Sequence, residues 1–122
     1  MSEEFLRVAK KEVSEDIVEI GNLLRTCSGD SDISKNAAEI KKHTHKLKGL
    51  APMMGQTEIG DLAATLDALL TLTISGNMPS DLFQAIKKSH QFMLDTINDH
   101  ESDYVSLRSE LDKKYSVFLS RK

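Results

Sequence analysis

The segment Thr44–Leu70, THKLKGLAPMMGQTEIGDLAATLDALL, predicts two helices joined by a short connection. Its apolar residues recur at intervals of three and four, which is the spacing of one helix face. Pro52 disfavours helical geometry at the preceding residue, and Gly55 is a good helix terminator. The first helix is therefore expected to end between Ala51 and Met54, with the second beginning soon afterwards.

The same spacing extends over the rest of the chain, and no stretch alternates apolar and polar residues as a strand does. The sequence Cys27–Asp32 is typical of a turn. We predict helices over about Glu3–Arg25, from Ile33 to between Ala51 and Met54, over about Thr57–Ser75, from Pro79 or Ser80 to about Asn98, and from a cap at Ser102 through Phe118. The second helix should bury Ile33, Ala37, Ile40, Thr44, Leu47 and Ala51, and the third Ile59, Leu62, Leu66, Leu69 and Thr73. Because short connections favour antiparallel neighbours, the prediction is an all-α fold: one domain over residues 1–122, an antiparallel four-helix bundle with a fifth helix added at an end.

Composition limits the kinds of partner and compartment. The 122 residues are 39% hydrophobic and 29% charged, as in a globular protein, and no apolar run is long enough to cross a bilayer. The beginning, Met1–Glu4, is acidic rather than signal-like, and the single cysteine, Cys27, fits a reducing compartment, so we expect a cytoplasmic protein without membrane contact. The net charge of −3 and the few aromatic residues argue against a nucleic-acid partner.

His45 lies on a basic, polar face of the second helix, roughly 120° from the centre of its buried stripe, and should be exposed to water. A neutral imidazole is a good nucleophile toward phosphorus, and Lys48, one turn later, can offset the charge that arrives with a phosphoryl group. Gly49 has no side chain, so a partner can approach closely. The same face carries further residues expected to contact a partner, namely Lys41, Lys42 and Pro52. On charge alone, a solvated helix face is the simpler explanation of these lysines.

Asp67 of the third helix is predicted to lie level with His45. His45 precedes the turn near Gln56 by eleven residues and Asp67 follows it by eleven, so an antiparallel hairpin brings both to the same height. Asp67 could then orient the imidazole by accepting a hydrogen bond from one ring nitrogen, leaving the other free to attack. The alternative is a surface ion pair between Asp67 and a lysine, and the geometry leaves both open.

The other histidines offer weaker sites. His43 lies nearer the buried stripe and is interpreted as a residue on the helix flank. Two positions separate it from His45, which puts the two rings on different faces, so the pair is a poor metal chelate. Glu39 with His43 supplies only two ligands, and no metal site is predicted. His90 and His100 are isolated and receive no function.

His45-Lys46-Leu47-Lys48-Gly49 resembles the His-x-x-Lys-Gly motif of the histidine-containing phosphotransfer (HPt) domain family. Gly55, ten positions after the histidine, also matches, and Thr44–Leu70 looks most like the amino-terminal domain of chemotaxis-type histidine kinases. In that group a glutamate often stands where this chain has Asp67, which is one methylene shorter. Ala64 replaces a histidine of many such kinases, and Pro52 replaces a small residue or glycine.

The resemblance implies that a separate histidine kinase phosphorylates His45 and that the phosphoryl group passes to an aspartate of a response-regulator receiver domain. It implies no cofactor of the chain's own, and magnesium in the partner's active site. The sequence has no glycine-rich nucleotide loop. Two other interpretations remain: the chain is the front part of a chemotaxis-type kinase, or it is a non-catalytic helical adaptor that binds partner proteins through its bundle surface.

Overall fold

The computed structural model describes residues 2–119, and every regular element in that range is a helix. The helices are α1 (Glu3–Leu24), α2 (Asp30–Met53), α3 (Thr57–Ile74), α4 (Leu82–Ile97), α5 (Tyr104–Lys114) and the short α6 (Ser116–Leu119). Helices α1 to α4 enclose one apolar core, with α5 and α6 added to the bundle. The predicted all-α bundle is confirmed. None of the described helices is long and apolar enough to cross a membrane.

The hairpin of α2 and α3 forms the most extensive helix pair of the bundle. Every residue predicted to lie inward on these two helices is buried, because the apolar spacing follows one helix face in each. Helix α2 ends at Met53, within the predicted interval, and Pro52 therefore lies inside its last turn. The sequence prediction is thus accurate for the buried faces of this helix pair and for the end of α2.

Two helix starts differ from the prediction. Helix α2 begins at Asp30, inside the predicted turn, because an acidic first turn is favourable at a helix N-terminus. Helix α4 begins at Leu82 rather than at Pro79 or Ser80, since Asp81 has a left-handed φ of 60°. The Asp30 carboxylate accepts the backbone N–H groups of Asp81 at 2.9 Å and Phe83 at 2.7 Å, which fixes this start from another helix.

The last predicted helix is divided in the structure. Asp103, not Ser102, caps α5 by accepting the Ser106 N–H at 3.0 Å. The helix is interrupted at Tyr115, which is buried and donates its hydroxyl proton to the Ser80 carbonyl at 2.8 Å. The helical spacing alone could not reveal this break, because the cause is a contact with a residue far away in the sequence.

Helix α5 is attached to the bundle through the buried guanidinium of Arg108. It donates to the Thr65 hydroxyl at 2.8 Å and to the Asp61 carboxylate at 3.1 Å, both on α3. It also pairs with Asp112, one turn later on α5, at 2.8 Å. These contacts hold the fifth helix on the side of α3.

Candidate functional site

His45 projects from α2 into water, as predicted. Its side chain is 66% exposed. Lys42, Gly49 and Pro52 are exposed on the same helix, and so is Ala38. A partner therefore has open access to this imidazole.

Asp67 of α3 lies beside His45, but its carboxylate is nearly enclosed. The side chain is only 10% exposed, because it is directed into the junction of α2 and α3. One oxygen, Oδ2, lies 3.6 Å from His45 Nδ1 and 3.8 Å from Lys48 Nζ. The other, Oδ1, lies 3.5 Å from Lys41 Nζ. One buried carboxylate thus has three cationic or potentially cationic neighbours, all from α2.

The contact between Asp67 and His45 is electrostatic rather than a hydrogen bond. A separation of 3.6 Å between nitrogen and oxygen is beyond the range of a good hydrogen bond. The short aspartate side chain places its charge near Nδ1 without closing the gap. Both sequence alternatives are therefore partly realised, since the carboxylate pairs with two lysines and also faces the imidazole.

The close contact between Pro52 of α2 and Gly60 of α3 sets the relative height of His45 and Asp67. The Pro52 ring packs on Gly60, where an added Cβ would lie 2.5 Å from Pro52 Cγ. His45 precedes Pro52 by seven residues and Asp67 follows Gly60 by seven, so each is two turns away on the same helix face. The glycine at position 60 lets the helices meet closely enough for the short Asp67 side chain to approach His45.

Lys41 lies against the Asp67 carboxylate. Its side chain is 29% exposed and extends over Asp67, and its role in partner binding stays a prediction. Oδ1 of Asp67 is buried without a hydrogen-bond partner among the described residues, so the Lys41 ammonium is the charge that compensates it. Lys42, by contrast, points into solvent and pairs with Glu39 at 3.4 Å.

Sequence reasoning missed an apolar residue at this surface. Ile74, the last residue of α3, is more than half exposed. It borders an open depression that also reaches Ala38, Lys41, Lys42, His45 and Lys46. A signal was available, because Ile74 directly follows the buried Thr73 and lies off the apolar stripe of α3.

A second carboxylate lies on the opposite flank of α2 and was also missed. Asp16 of α1 has a side chain that is 3% exposed. Its Oδ1 lies 2.9 Å from His43 Nδ1 and 3.3 Å from Lys46 Nζ. Its Oδ2 is buried and has no hydrogen-bond partner among the described residues. The signal in the sequence was a charged residue within the buried stripe of Val13, Ile17 and Ile20.

His90 serves the packing of α4 on α1. Its Nε2–H donates to the Ile17 carbonyl at 2.8 Å, and the ring fills the space beside Gly21. Burial lowers the pKa of His90, the hydrogen bond to Ile17 raises it, and the charge of Arg25 lowers it. The net direction is downward, so this ring favours the neutral form.

An exposed histidine, a lysine one turn later and a neighbouring acid thus lie together on one face of the helical bundle. Residues 4–99 match the family model described as Hpt domain, so the chain belongs to the Hpt domain family. Proteins of this family transfer phosphoryl groups through histidine in two-component phosphorelays, together with histidine kinases and response regulators. Neither the curated proteins nor the solved structures contain a match to the chain. The closer likeness to chemotaxis-type kinases stays a prediction.

Proposed function

We propose that His45 is the phosphoryl carrier of this domain, acting in the cytoplasm between a histidine kinase catalytic domain and the aspartate of a receiver domain. The observation that supports this most directly is the water-facing imidazole of His45, 3.6 Å from a buried carboxylate. His43 and His45 each have an acidic partner on a neighbouring helix, and His45 is the more exposed of the two. The motif that begins at His45 and continues through Lys48 to Gly49 adds to this choice.

The position of Asp67 favours Nε2 as the attacking atom. Nδ1 faces the Asp67 carboxylate, so Nε2 is the ring nitrogen directed away from the bundle. Its lone pair would form the nitrogen–phosphorus bond while the bond from phosphorus to the donor's leaving group breaks, and the leaving group keeps that electron pair. The ring gains positive charge in this step, and the negative charge of Asp67 stabilises it.

The two lysines have separate roles in this proposal. Lys48 lies on the exposed side of Asp67 and can turn toward the phosphoryl oxygens, which carry negative charge throughout the transfer. Lys41 remains over Oδ1 and limits the repulsion between Asp67 and the incoming group. Lys48 therefore acts on the reacting group, whereas Lys41 is a positioning residue that acts through Asp67.

The surface around His45 fits an acidic receiver domain. Lys41, Lys42 and Lys46 border the same depression as His45, and Lys48 lies one turn further along α2. Complementary charge speeds the encounter of two proteins. Ile74 offers an apolar contact at the edge of this surface, while the small residues Gly49 and Pro52 leave room for a partner to come close to His45. The domain needs no cofactor of its own for this step; the receiver would contribute the acceptor aspartate and the magnesium.

Phosphotransfer between purified proteins tests the proposal. Receiver domains and histidine kinases are screened with the wild-type protein, and the active pair is then used with His45→Gln, Lys48→Ala and the control His100→Gln. We expect His45→Gln to accept no phosphate from the kinase, Lys48→Ala to transfer at least about tenfold more slowly, and His100→Gln to match the wild type. Normal labelling of His45→Gln would exclude His45 as the carrier. A protein that is never labelled by any kinase would favour the adaptor interpretation.

A further inference from the structure

Helix α2 presents two copies of one arrangement, on opposite flanks. His43 and Lys46 repeat the His-x-x-Lys spacing of His45 and Lys48, two residues earlier. Each histidine faces a buried carboxylate of a different neighbouring helix, Asp16 on α1 for His43 and Asp67 on α3 for His45. Only the second copy belongs to the family motif, so the proposed function leaves the first unexplained.

The hydrogen bond that orients an imidazole is made at the first copy. His43 Nδ1 lies 2.9 Å from Asp16 Oδ1, against 3.6 Å between His45 and Asp67. An ionised carboxylate only accepts hydrogen bonds, so the proton of the neutral His43 ring is on Nδ1. Nε2 then carries the free lone pair, and it has no hydrogen-bond partner among the described residues.

Nε2 of His43 also reaches the surface. The side chain is 20% exposed. Nε2 is not among the fully buried polar atoms without a hydrogen-bond partner in the described part of the chain, so it keeps some accessible surface. The Lys46 ammonium, half exposed one turn along α2, lies 3.3 Å from Asp16 and can turn toward an anion at His43. A nucleophile, its orienting carboxylate and a half-exposed cation therefore meet in the groove between α1 and α2.

We propose that His43 is a second phosphoryl-acceptor site, which takes phosphate from small donors of the phosphoramidate class. The donor reacts in the form whose nitrogen is already protonated: the Nε2 lone pair attacks phosphorus, the phosphorus–nitrogen bond breaks, and the nitrogen leaves with the bonding pair as a neutral amine, which is ammonia for phosphoramidate itself. The Nδ1 proton stays in the hydrogen bond to Asp16, whose charge stabilises the imidazolium that forms. This site does not depend on His45 being the carrier in the relay.

Access, more than charge, distinguishes the donors of the two sites. Glu12 and Glu19 lie one turn on either side of Asp16 on α1, so the groove beside His43 is more acidic than the His45 face. One-fifth exposure admits a small molecule but not the active site of a folded domain. An acidic receiver domain is therefore expected to use His45, whereas a small donor can reach both rings.

The test is chemical phosphorylation with potassium phosphoramidate, followed by intact mass and by tandem mass spectrometry at neutral to basic pH to map each phosphohistidine. Wild type, His43→Gln, His45→Gln, Asp16→Asn and Lys46→Ala are compared. His100, in the exposed connection before α5, supplies an internal reference for an imidazole without an orienting carboxylate. Circular dichroism verifies that each variant is folded.

We expect phosphate on His43 in wild type and in His45→Gln, at a rate at least equal to that of His100 despite the lower exposure. Asp16→Asn should slow His43 by about tenfold or more and leave the reference unchanged, because the charge-assisted hydrogen bond is lost. Lys46→Ala should slow His43 less. Absence of phosphate on wild-type His43 while His45 and His100 are labelled would overturn the proposal, as would an unchanged His43 rate in folded Asp16→Asn. Neither result bears on transfer through His45, which the kinase and receiver assay measures separately.

Discussion

Replacing Asp67 with asparagine tests whether a charge without a hydrogen bond helps His45 to accept phosphate. The substitution keeps the shape of the side chain and removes its charge. In the transfer step the imidazole becomes positively charged, and it then lies 3.6 Å from a neutral amide instead of a carboxylate. We expect slower phosphorylation of His45 in a folded protein.

The separation sets the size of the effect. Two unit charges 3.6 Å apart interact by about 1 kcal/mol in water and by about 4 to 5 kcal/mol at an effective dielectric constant of 20. Because the imidazole is two-thirds exposed, the lower end applies. A loss of about 1 to 1.4 kcal/mol corresponds to a rate about fivefold to tenfold lower.

The assay follows phosphate on His45 with phosphoramidate as donor, at concentrations raised until the rate no longer increases. Saturation matters because the substitution also removes a charge that repels the anionic donor. Weaker repulsion changes how much donor is needed to reach half the maximal rate, but it does not change the saturated rate. Glu58→Gln, at an exposed position of the same helix, is the matched control and should stay within about twofold of wild type. Asp67→Glu should retain the wild-type rate or exceed it, since the extra methylene can close the gap to Nδ1. A wild-type saturated rate in folded Asp67→Asn would refute the role given to this carboxylate.

Three further predictions concern the framework of the site. Gly60→Ala should lower the free energy of unfolding by about 1 to 3 kcal/mol in thermal or urea denaturation, because the new methyl meets the Pro52 ring; combining it with Pro52→Ala should remove that loss, and a loss that persists would contradict the explanation. The free energy of unfolding should fall between pH 7 and pH 5 in part through His90. The pKa of His90 is lowered in the folded state, so the unfolded chain binds the proton first, and the stability present above the unfolded pKa of about 6.5 is lost below it. Denaturant titrations at each pH should show a shallower dependence of stability on pH for His90→Gln than for wild type. Arg108→Met should cost about 1 to 3 kcal/mol and speed hydrogen exchange in α5 while α2 stays protected, whereas equal exchange along both helices would mean that Arg108 does not fasten α5 specifically.

The sequence by itself determined that the chain folds into helices and that His45 points into water. Apolar residues at intervals of three and four identify the buried face of α2, and His45, which lies well off that face, is exposed. Counting residues from the turn also placed Asp67 level with His45, because both helices rise equally per residue. These inferences succeeded because they depend only on local, repetitive geometry.

Tertiary structure alone decided how the charges are paired. Whether Asp67 touches His45 or stops at 3.6 Å depends on how closely the Pro52 ring packs on Gly60, and this distance is not encoded in any local spacing. The pairing of Asp16 with His43 joins residues 27 positions apart on two helices, and the crossing of α1 over α2 had to be known before the second cluster could be seen. Helix periodicity fixes which face a side chain occupies, whereas only the packing of helix against helix fixes what that side chain meets.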